Sequence, residues 1–222
     1  MDAKIRAVIF DMDGVLVDSE PLINASAIAM FQEKGLIVQP TDFLPFVGAG
    51  ENRYIGGVAE KYHFPLDLPA AKKRTYEIYL DLVPSQLEAF PGAHDLVLDC
   101  RRAGLHTAVA SSADKIKVVA NLQKIDLPPE FWDAAVVAED VRRQKPAPDI
   151  FLAAARKLNV EPTACVVVED AVNGIQAAKA AGMRCIAIAS TFPAERLQEA
   201  DVVRDKISQV KLSDLDPHLT DM

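Results

Sequence analysis

The sequence is poor in cysteine and in long apolar stretches, and each shortage excludes a class of protein. Its three cysteines, Cys100, Cys165 and Cys185, are too few and too scattered for a disulfide framework or a zinc site. We therefore expect buried free thiols in a reducing compartment. No apolar run has the length of a membrane span, and no signal-peptide segment follows the first residues, MDAKIR. Together these shortages predict a cytoplasmic protein that does not bind membranes.

Basic residues are also in short supply relative to acidic ones. The chain of 222 residues has 24 Lys and Arg against 32 Asp and Glu, a formal net charge of -8. Because nucleic-acid binding requires a basic surface that neutralises phosphates, this balance excludes a general nucleic-acid binder. The four histidines, His63, His94, His106 and His218, share no metal-ligand spacing, so we assign none to a metal. The mixed acidic surface gives no sign of an obligate interface and predicts a monomer.

What the sequence does contain is a pair of aspartates at the end of an apolar run. Residues 5–10 predict a buried strand of a parallel sheet, and Asp11, Asp13 and Gly14 follow it. Two ionised carboxylates at the end of a core strand are costly unless a cation compensates, and Mg2+ is the natural partner of oxygen ligands. A plain turn is the alternative. A calcium loop is excluded because the apolar residues 15–17 stand where further oxygen ligands are needed.

The chain then divides into a helical part and an alternating part. Apolar spacing predicts a helix over 21–34, which Ser19 could cap, and residues 41–83 stay helical. After a further helix over 93–103, strands and helices alternate. We expect strands at 106–110, 134–138, 164–168, 185–189 and 201–203, and helices at 149–158, at 171–181 and from the residues 111–114 to about 124.

Alternation of this kind predicts an α/β fold, a doubly wound parallel sheet covered by helices on both faces. The helical stretch between the first and second strands then forms an inserted all-helical cap. We place the core domain at residues 1–17 and 88–222 and the cap domain at residues 18–87.

Polar residues follow several of the predicted strands at the end where such sheets bind ligands. These are two acidic pairs, a pair of hydroxyls and a lysine in the loop after 134–138: Asp11, Asp13, Ser111, Ser112, Lys145, Glu169 and Asp170. This conjunction is the strongest functional signal in the sequence.

Each of these residue types suits a phosphate ester. Ser111 or Ser112, before a helix, could bind phosphate oxygens together with free backbone N–H groups, and an ordinary helix cap is the alternative. Lys145 precedes a proline, which favours an extended backbone there. Clustered carboxylates that face a phosphate need positive charge, which favours a functional lysine over a surface one. The main structural alternative for Glu169 and Asp170 is that they cap the N-terminus of the next helix, but that role would account for only one of the two.

The motifs DMDGVLVDSE, the serine at 111, KPAPDIF and VVVEDAVNGIQAAKAAG resemble, in order, the four motifs of the haloacid dehalogenase (HAD) superfamily. The resemblance covers nearly the whole chain, and it is to the branch of phosphatases and beta-phosphoglucomutases with a helical cap. The stretches FVGAGENRYIGGVA and KPAPDIFLAAARKL also resemble the HAD domain of a plant thylakoid protein. We expect neither that protein's other domains nor its transit peptide here.

The resemblance implies phosphoryl transfer in two steps. Asp11 would attack phosphorus and form an aspartyl-phosphate, and Asp13 would act as general acid and then general base. The Asp11 carboxylate, the Asp13 backbone carbonyl and Asp170 would hold Mg2+, with Glu169 as a further ligand or a support through water. Dehalogenation is disfavoured because that branch does not use the second aspartate.

The resemblance also implies roles around the phosphoryl group. Ser111 and Lys145 would bind it, and the cap would close over the site. Substrate-binding groups are expected at Ser112 and in the cap loop, at Gly48, Glu51, Asn52 and Arg53; a plain helix connection is the alternative for that loop.

Two observations in the cap distinguish a phosphatase from a mutase. Ile23 stands where beta-phosphoglucomutase has a cap histidine, and Val47 and Glu51 stand where it has a lysine and an arginine, although Arg53 is close enough to substitute. A mutase must bind a second phosphate with its cap. We therefore expect a phosphatase acting on a small phosphorylated metabolite, with a sugar phosphate preferred. A phosphomutase is the alternative, and a non-catalytic regulatory domain is the second alternative. Phosphonate hydrolysis requires a lysine in the cap that forms a Schiff base, and the sequence has none at the expected position.

Overall fold

The structure, a computed structural model, describes residues 4–219, and a six-stranded parallel sheet lies at its centre. The strands are β1 (Ala7–Phe10), β2 (His106–Ala110), β3 (Ala134–Val136), β4 (Cys165–Glu169), β5 (Arg184–Ile188) and β6 (Val202–Arg204). Their order across the sheet is β3-β2-β1-β4-β5-β6, and every neighbouring pair is parallel. β1 thus lies between β2 and β4, at the point where the order of the strands reverses.

Eight α-helices surround or extend this sheet within the described residues. They are α1 (Glu20–Glu33), α2 (Glu51–Lys61), α3 (Leu68–Gln86), α4 (Ala93–Arg102), α5 (Lys115–Lys124), α6 (Asp149–Leu158), α7 (Val172–Ala180) and α8 (Leu212–Leu215). None of the helices in residues 4–219 combines the length and the apolar character that crossing a membrane requires.

The two faces of the sheet pack against different sets of helices. All four residues of β1 are buried because a central parallel strand is covered on both sides. Val8 and Phe10 belong to the core that contains α4 and α5, whereas Ala7 and Ile9 belong to the core that contains α6 and α7. This alternation follows from the two-residue repeat of a strand, whose successive side chains point to opposite faces.

Helices α1, α2 and α3 form the cap between β1 and β2. α1 packs along α3, and α3 also contacts α5 of the core. The Asp67 side chain accepts a hydrogen bond from the backbone N–H of Ala70 at 3.1 Å, which caps α3. Because α3 packs against α5, the cap lies over the carboxyl ends of the strands, where residues of both cap and core line one pocket.

The predicted fold class, an α/β fold with a doubly wound parallel sheet and an inserted helical cap, is confirmed, and most element bounds lie within two residues of the prediction. The predicted helix start at 111–114 is wrong, since α5 begins only at Lys115. β3 ends two residues earlier than predicted because a 3-10 turn occupies Ala138–Asp140. The predicted cap at Ser19 is wrong, since its side chain makes no cap hydrogen bond. The domain boundaries at 17/18 and 87/88 stay a prediction, and residues 1–3 and 220–222 of the predicted core domain lie outside the described residues.

Candidate active site

The carboxyl ends of β1, β2 and β4 bring the predicted residues together. The backbone N–H of Asp11 donates to the carbonyl of Val168 at 2.9 Å, so Asp11 continues β1 beside the end of β4. The N–H of Ser111 donates to the carbonyl of Val136 at 3.0 Å, so Ser111 extends β2. Because the carboxyl ends of parallel strands all lie on the same side of the sheet, these side chains and Asp170 line one pocket.

Lys145 joins two of the acidic residues. Its Nζ lies 2.7 Å from Oδ1 of Asp11 and 2.5 Å from Oε1 of Glu169, and all three side chains are buried. Burial lowers the pKa of Lys145, but Asp11 and Glu169 outweigh that effect and raise it. The ammonium group therefore stays charged in the pocket.

Three buried carboxylates, those of Asp11, Glu169 and Asp170, form an acidic triad whose oxygens lie within 4.8 Å of one another. Burial is the main cause that raises the pKa of Asp11 to about 7; Lys145 lowers it, and Glu169 and Asp13 raise it further. Burial, followed by Glu169 and Asp11, raises the pKa of Asp170 well above its usual value. One lysine does not neutralise three carboxylates, so this set of oxygens fits a hard divalent cation.

Two glycines make room for the carboxylates of the triad. A Cβ on Gly174 of α7 would lie 1.8 Å from Oε1 of Glu169, and a Cβ on Gly14 would lie 2.0 Å from Oδ2 of Asp170. Glu169 also accepts hydrogen bonds from the backbone N–H groups of Asp170 and Ala171, both at 2.7 Å. Glu169 is therefore fixed by the turn that leads into α7.

Asp13 contacts other residues than the triad does. Its Oδ1 accepts a hydrogen bond from the Ser19 hydroxyl and lies 3.0 Å from Nζ of Lys117. Its side chain keeps 29 % of its surface exposed and lines the pocket. Asp11 and Asp13 thus occupy different environments although one residue separates them, as two carboxylates with different tasks require.

The two predicted serines differ in their contacts. The buried Oγ of Ser111 accepts a hydrogen bond from the N–H of Ala113 at 3.1 Å, whereas the Oγ of Ser112 is buried and has no partner among the described residues. Both line the pocket. α5 begins only at Lys115, so neither serine caps it. A buried hydroxyl without a partner is costly, so Ser112 is suited to bind a polar ligand.

The cap loop lies against the core at the mouth of the pocket. A Cβ on Gly50 would lie 3.5 Å from the carbonyl oxygen of Ser112, and a Cβ on Gly48 would lie 3.5 Å from Cβ of Ala171. A Cβ at either glycine would thus be in ordinary van der Waals contact with the core, and cap and core contact each other directly at the pocket, where Glu51 lies 3.2 Å from Lys117.

The predicted cap residues divide between the pocket and the surface. Gly48 and Glu51 line the pocket, but Asn52 and Arg53 are exposed and do not, and Arg53 pairs with Glu60 at 2.6 Å. α2 begins at Glu51, and each helical residue turns by about 100° from the one before, so its next two residues face away from the pocket. Substrate binding by Asn52 and Arg53 therefore has no support in this arrangement.

Three polar side chains that line the pocket, those of Glu20, Tyr54 and Lys117, were not among the predicted ones. Tyr54, one turn after Glu51, donates a hydrogen bond to Oε1 of Glu20 at 2.7 Å, and Lys117 reaches in from α5. Burial raises the pKa of Glu20 to about 7, although Tyr54 and Lys117 oppose this. The signal for Lys117 lay in α5, where Lys117, Val118, Asn121 and Leu122 occupy one buried stripe at helical spacing.

The chain also resembles known proteins. The family description "haloacid dehalogenase-like hydrolase" matches residues 5–182. Protein SUPPRESSOR OF QUENCHING 1, chloroplastic, from Arabidopsis thaliana is 48 % identical over 96 % of this chain, but this chain spans only 21 % of that protein. Hexitol phosphatase B from Escherichia coli (strain K12) is 33 % identical over 96 % of this chain and 93 % of the relative.

The fold is also similar to that of a solved structure. CbbY from Rhodobacter sphaeroides in complex with phosphate superposes with a TM-score of 0.86, at 29 % identity over 96 % of this chain and 99 % of that one. The predicted cytoplasmic location stays a prediction, and the plant relative's name includes "chloroplastic". The four motifs, the sheet order and these matches agree, and the chain belongs to the haloacid dehalogenase-like hydrolases.

Proposed function

We propose that this protein is a Mg2+-dependent phosphatase that hydrolyses a small phosphorylated metabolite through an aspartyl-phosphate on Asp11. The observation that carries the proposal is the contrast between two aspartates. Asp11 lies among Lys145, Glu169 and Asp170, whereas Asp13 contacts Ser19 and Lys117. This contrast supports a nucleophilic role for Asp11 and a proton-transfer role for Asp13.

Each step can be assigned to residues of the pocket. An oxygen of Asp11 forms a bond to phosphorus as the bond to the leaving oxygen breaks, and Asp13 gives that oxygen a proton. Asp13 then takes a proton from a water molecule, which attacks phosphorus and releases phosphate and free Asp11. Lys145, Ser111 and Ser112, which line the pocket, would orient the phosphoryl group and balance its charge.

The acidic triad is the proposed metal site. The carboxylates of Asp11 and Asp170 and the backbone carbonyl of Asp13 would bind Mg2+, and Glu169 would support it. When bound, Mg2+ supplies positive charge beside the phosphoryl oxygens. The three buried carboxylates carry more negative charge than the buried ammonium group of Lys145 can neutralise, and this imbalance supports a bound cation.

A sugar phosphate is the proposed substrate class. The cap side of the pocket offers hydrogen-bonding groups from Glu20, Glu51 and Tyr54, which suit hydroxyl groups of a substrate. The relative named hexitol phosphatase B supports the same class, and the phosphate-bound CbbY structure supports binding of a phosphoryl group in this pocket.

A phosphomutase is the second candidate, and the composition of the pocket disfavours it. A mutase needs positive charge on its cap for a second phosphate. The lysines that line the pocket, Lys117 and Lys145, both belong to the core, and among residues 4–219 no Lys or Arg of the cap lines it. Ile23 is buried and lines the pocket at the position where the mutase branch has a histidine.

A phosphate-release screen over hexitol, hexose and pentose phosphates with Mg2+, with p-nitrophenyl phosphate as a generic substrate, tests the proposal. Release of phosphate from a narrow set of alkyl esters, abolished by EDTA, is the expected result. β-Glucose 1-phosphate with a bisphosphate primer is incubated in parallel. Formation of glucose 6-phosphate without net release of phosphate would identify a mutase instead. No turnover of any ester would favour the non-catalytic alternative.

A further inference from the structure

Lys117 is a buried lysine of α5 to which the reaction steps above assign no role. It is 3 % exposed, and its Nζ lies 3.0 Å from Oδ1 of Asp13 and 3.2 Å from Oε1 of Glu51. Burying an ammonium group costs free energy unless opposite charges surround it closely. The two carboxylates compensate that cost together, so the position of Lys117 is tied to both.

The two carboxylates belong to different parts of the molecule. Asp13 follows β1 in the core, whereas Glu51 is the first residue of α2 in the cap. The ring of Tyr79, from cap helix α3, lies 5.6 Å from Nζ, and the Tyr79 hydroxyl donates to Oδ1 of Asn121 in α5 at 2.7 Å. Two cap helices thus enclose a lysine of the core.

Among residues 4–219, the hydrogen bond and the ion pair of the Asp13 carboxylate are both made at one oxygen. The Ser19 hydroxyl and the ammonium group of Lys117 both contact Oδ1. Oδ2 is left as the oxygen that can exchange a proton with a ligand in the pocket. A carboxylate with one fixed oxygen loses its freedom to rotate, which is the condition for efficient proton transfer at a defined place.

We propose that Lys117 is a positioning residue that holds Asp13 for proton transfer and makes this orientation depend on a closed cap through Glu51. The inference rests on the proposed function, in which Asp13 is the general acid and base. When the cap moves away from the core, Lys117 loses Glu51, and its ammonium group is no longer enclosed. Proton transfer is then supported only while the cap covers the substrate and excludes bulk water.

The choice of leaving group separates this role from a general structural one. The alkoxide of a sugar or polyol leaves only with a proton from Asp13, whereas p-nitrophenolate is stable enough to leave without one. A defect in the orientation of Asp13 therefore slows alkyl phosphates much more than p-nitrophenyl phosphate. A loosened pocket slows both alike.

The test compares kcat/KM of Lys117→Met with that of the wild type on p-nitrophenyl phosphate and on the alkyl phosphate that the wild type hydrolyses fastest in the screen. We expect a decrease of about 100-fold or more for the alkyl ester and of less than about 10-fold for the aryl ester, because general acid catalysis contributes about 100- to 10,000-fold. Lys179→Met is the matched control, because it also removes an ion-paired lysine but leaves the cap untouched. Lys179 of α7 pairs with Asp201 of the core at 2.8 Å, and neither residue lines the pocket. Its ratio of alkyl to aryl activity should equal that of the wild type.

A second variant keeps the test decisive if the methionine variant does not fold, which its thermal unfolding curve will show. Lys117→Gln retains a donor for Asp13 without the charge, and its alkyl activity should fall by more than its aryl activity. Equal decreases on both esters, unchanged activity, or the same selective loss in Lys179→Met would overturn the inference. A wild type that hydrolyses neither ester would refute the proposed phosphatase itself, which is a distinguishable outcome.

Discussion

Opposing effects act on single residues of this pocket. Burial disfavours the ionised form of Asp11, whereas Lys145, at 2.7 Å, favours it. Glu169 and Asp13 add negative charge nearby and raise the pKa of Asp11 further. Such a carboxylate is poorly stabilised by the protein alone. A cation in the acidic triad would relieve this, which is why metal binding and the reactivity of Asp11 are expected to be linked.

Asp11→Asn should abolish phosphate release, with a decrease of at least about 1,000-fold, because an amide is not a nucleophile at phosphorus. The fold should persist, because one of three mutually repelling carboxylates is removed while Glu169 still pairs with Lys145. Phosphate release and the circular dichroism spectrum measure the two effects. Asp18→Asn, at an exposed residue of the same segment, is the control and should keep wild-type activity. Turnover near that of the wild type in Asp11→Asn would reject Asp11 as the nucleophile.

Lys145 and Lys117 show which residues a sequence can reveal. Lys145 was predicted because carboxylates after two strands need a compensating cation, and strand ends of one sheet are known to meet. Lys117 was missed because its partner Glu51 is 66 residues away and approaches only when the cap covers α5. The buried stripe of α5 was visible in the sequence, but a lysine within it is ordinarily a residue at the edge of the apolar face.

The cap loop before α2 sets the position of several elements at once. Gly50 adopts φ 80° and ψ 153°, a backbone conformation that residues with a side chain rarely tolerate. It directly precedes α2 and lies against Ser112. The direction of α2, and with it the placement of Glu51 and Tyr54, therefore depends on this glycine.

Gly50→Ala should lower both stability and activity. The strained backbone should cost about 1 to 3 kcal/mol of unfolding free energy, and kcat/KM should fall because the cap loop moves away from the pocket. Gly35→Ala provides a matched comparison, since Gly35 also has a positive φ, 84°, but lies outside the pocket. Urea unfolding and steady-state kinetics should show a stability loss in both variants and an activity loss in Gly50→Ala alone. Equal kcat/KM values in the two variants would contradict the role given to this loop.

The bounds of elements followed from local patterns, whereas the orientation of the cap did not. Buried strands such as β1 and β4 are continuous apolar runs that end at charged residues, so the sequence marks both their ends. The face of α2 that meets the pocket depends on where the helix begins. A start at Glu51 turns Asn52 and Arg53 outward, and the glycine-rich sequence before it permits several starting points.

At the scale of the whole molecule, the pocket belongs to neither cap nor core alone. The core contributes the acidic triad, the serines and both pocket lysines, and the cap contributes Glu20, Glu51 and Tyr54. Most of the core residues could be predicted from the sequence, because the topology of a parallel sheet fixes where strand ends meet. The monomeric state predicted from the acidic surface stays a prediction.

Mg2+ should stabilise the whole chain, because an ion that binds the folded protein and not the unfolded one shifts the folding equilibrium. At 100 times the dissociation constant the gain is about 2.7 kcal/mol, which corresponds to an increase in Tm of about 5 to 10 °C for a chain of this size. Thermal unfolding of EDTA-treated protein with and without Mg2+ measures it. Asp170→Asn removes a carboxylate of the triad and should lose most of the shift, whereas Glu161→Gln, exposed at the opposite end of β4, should keep it. An equal shift in all three proteins would mean that the ion binds elsewhere and that the buried triad is balanced by Lys145 alone.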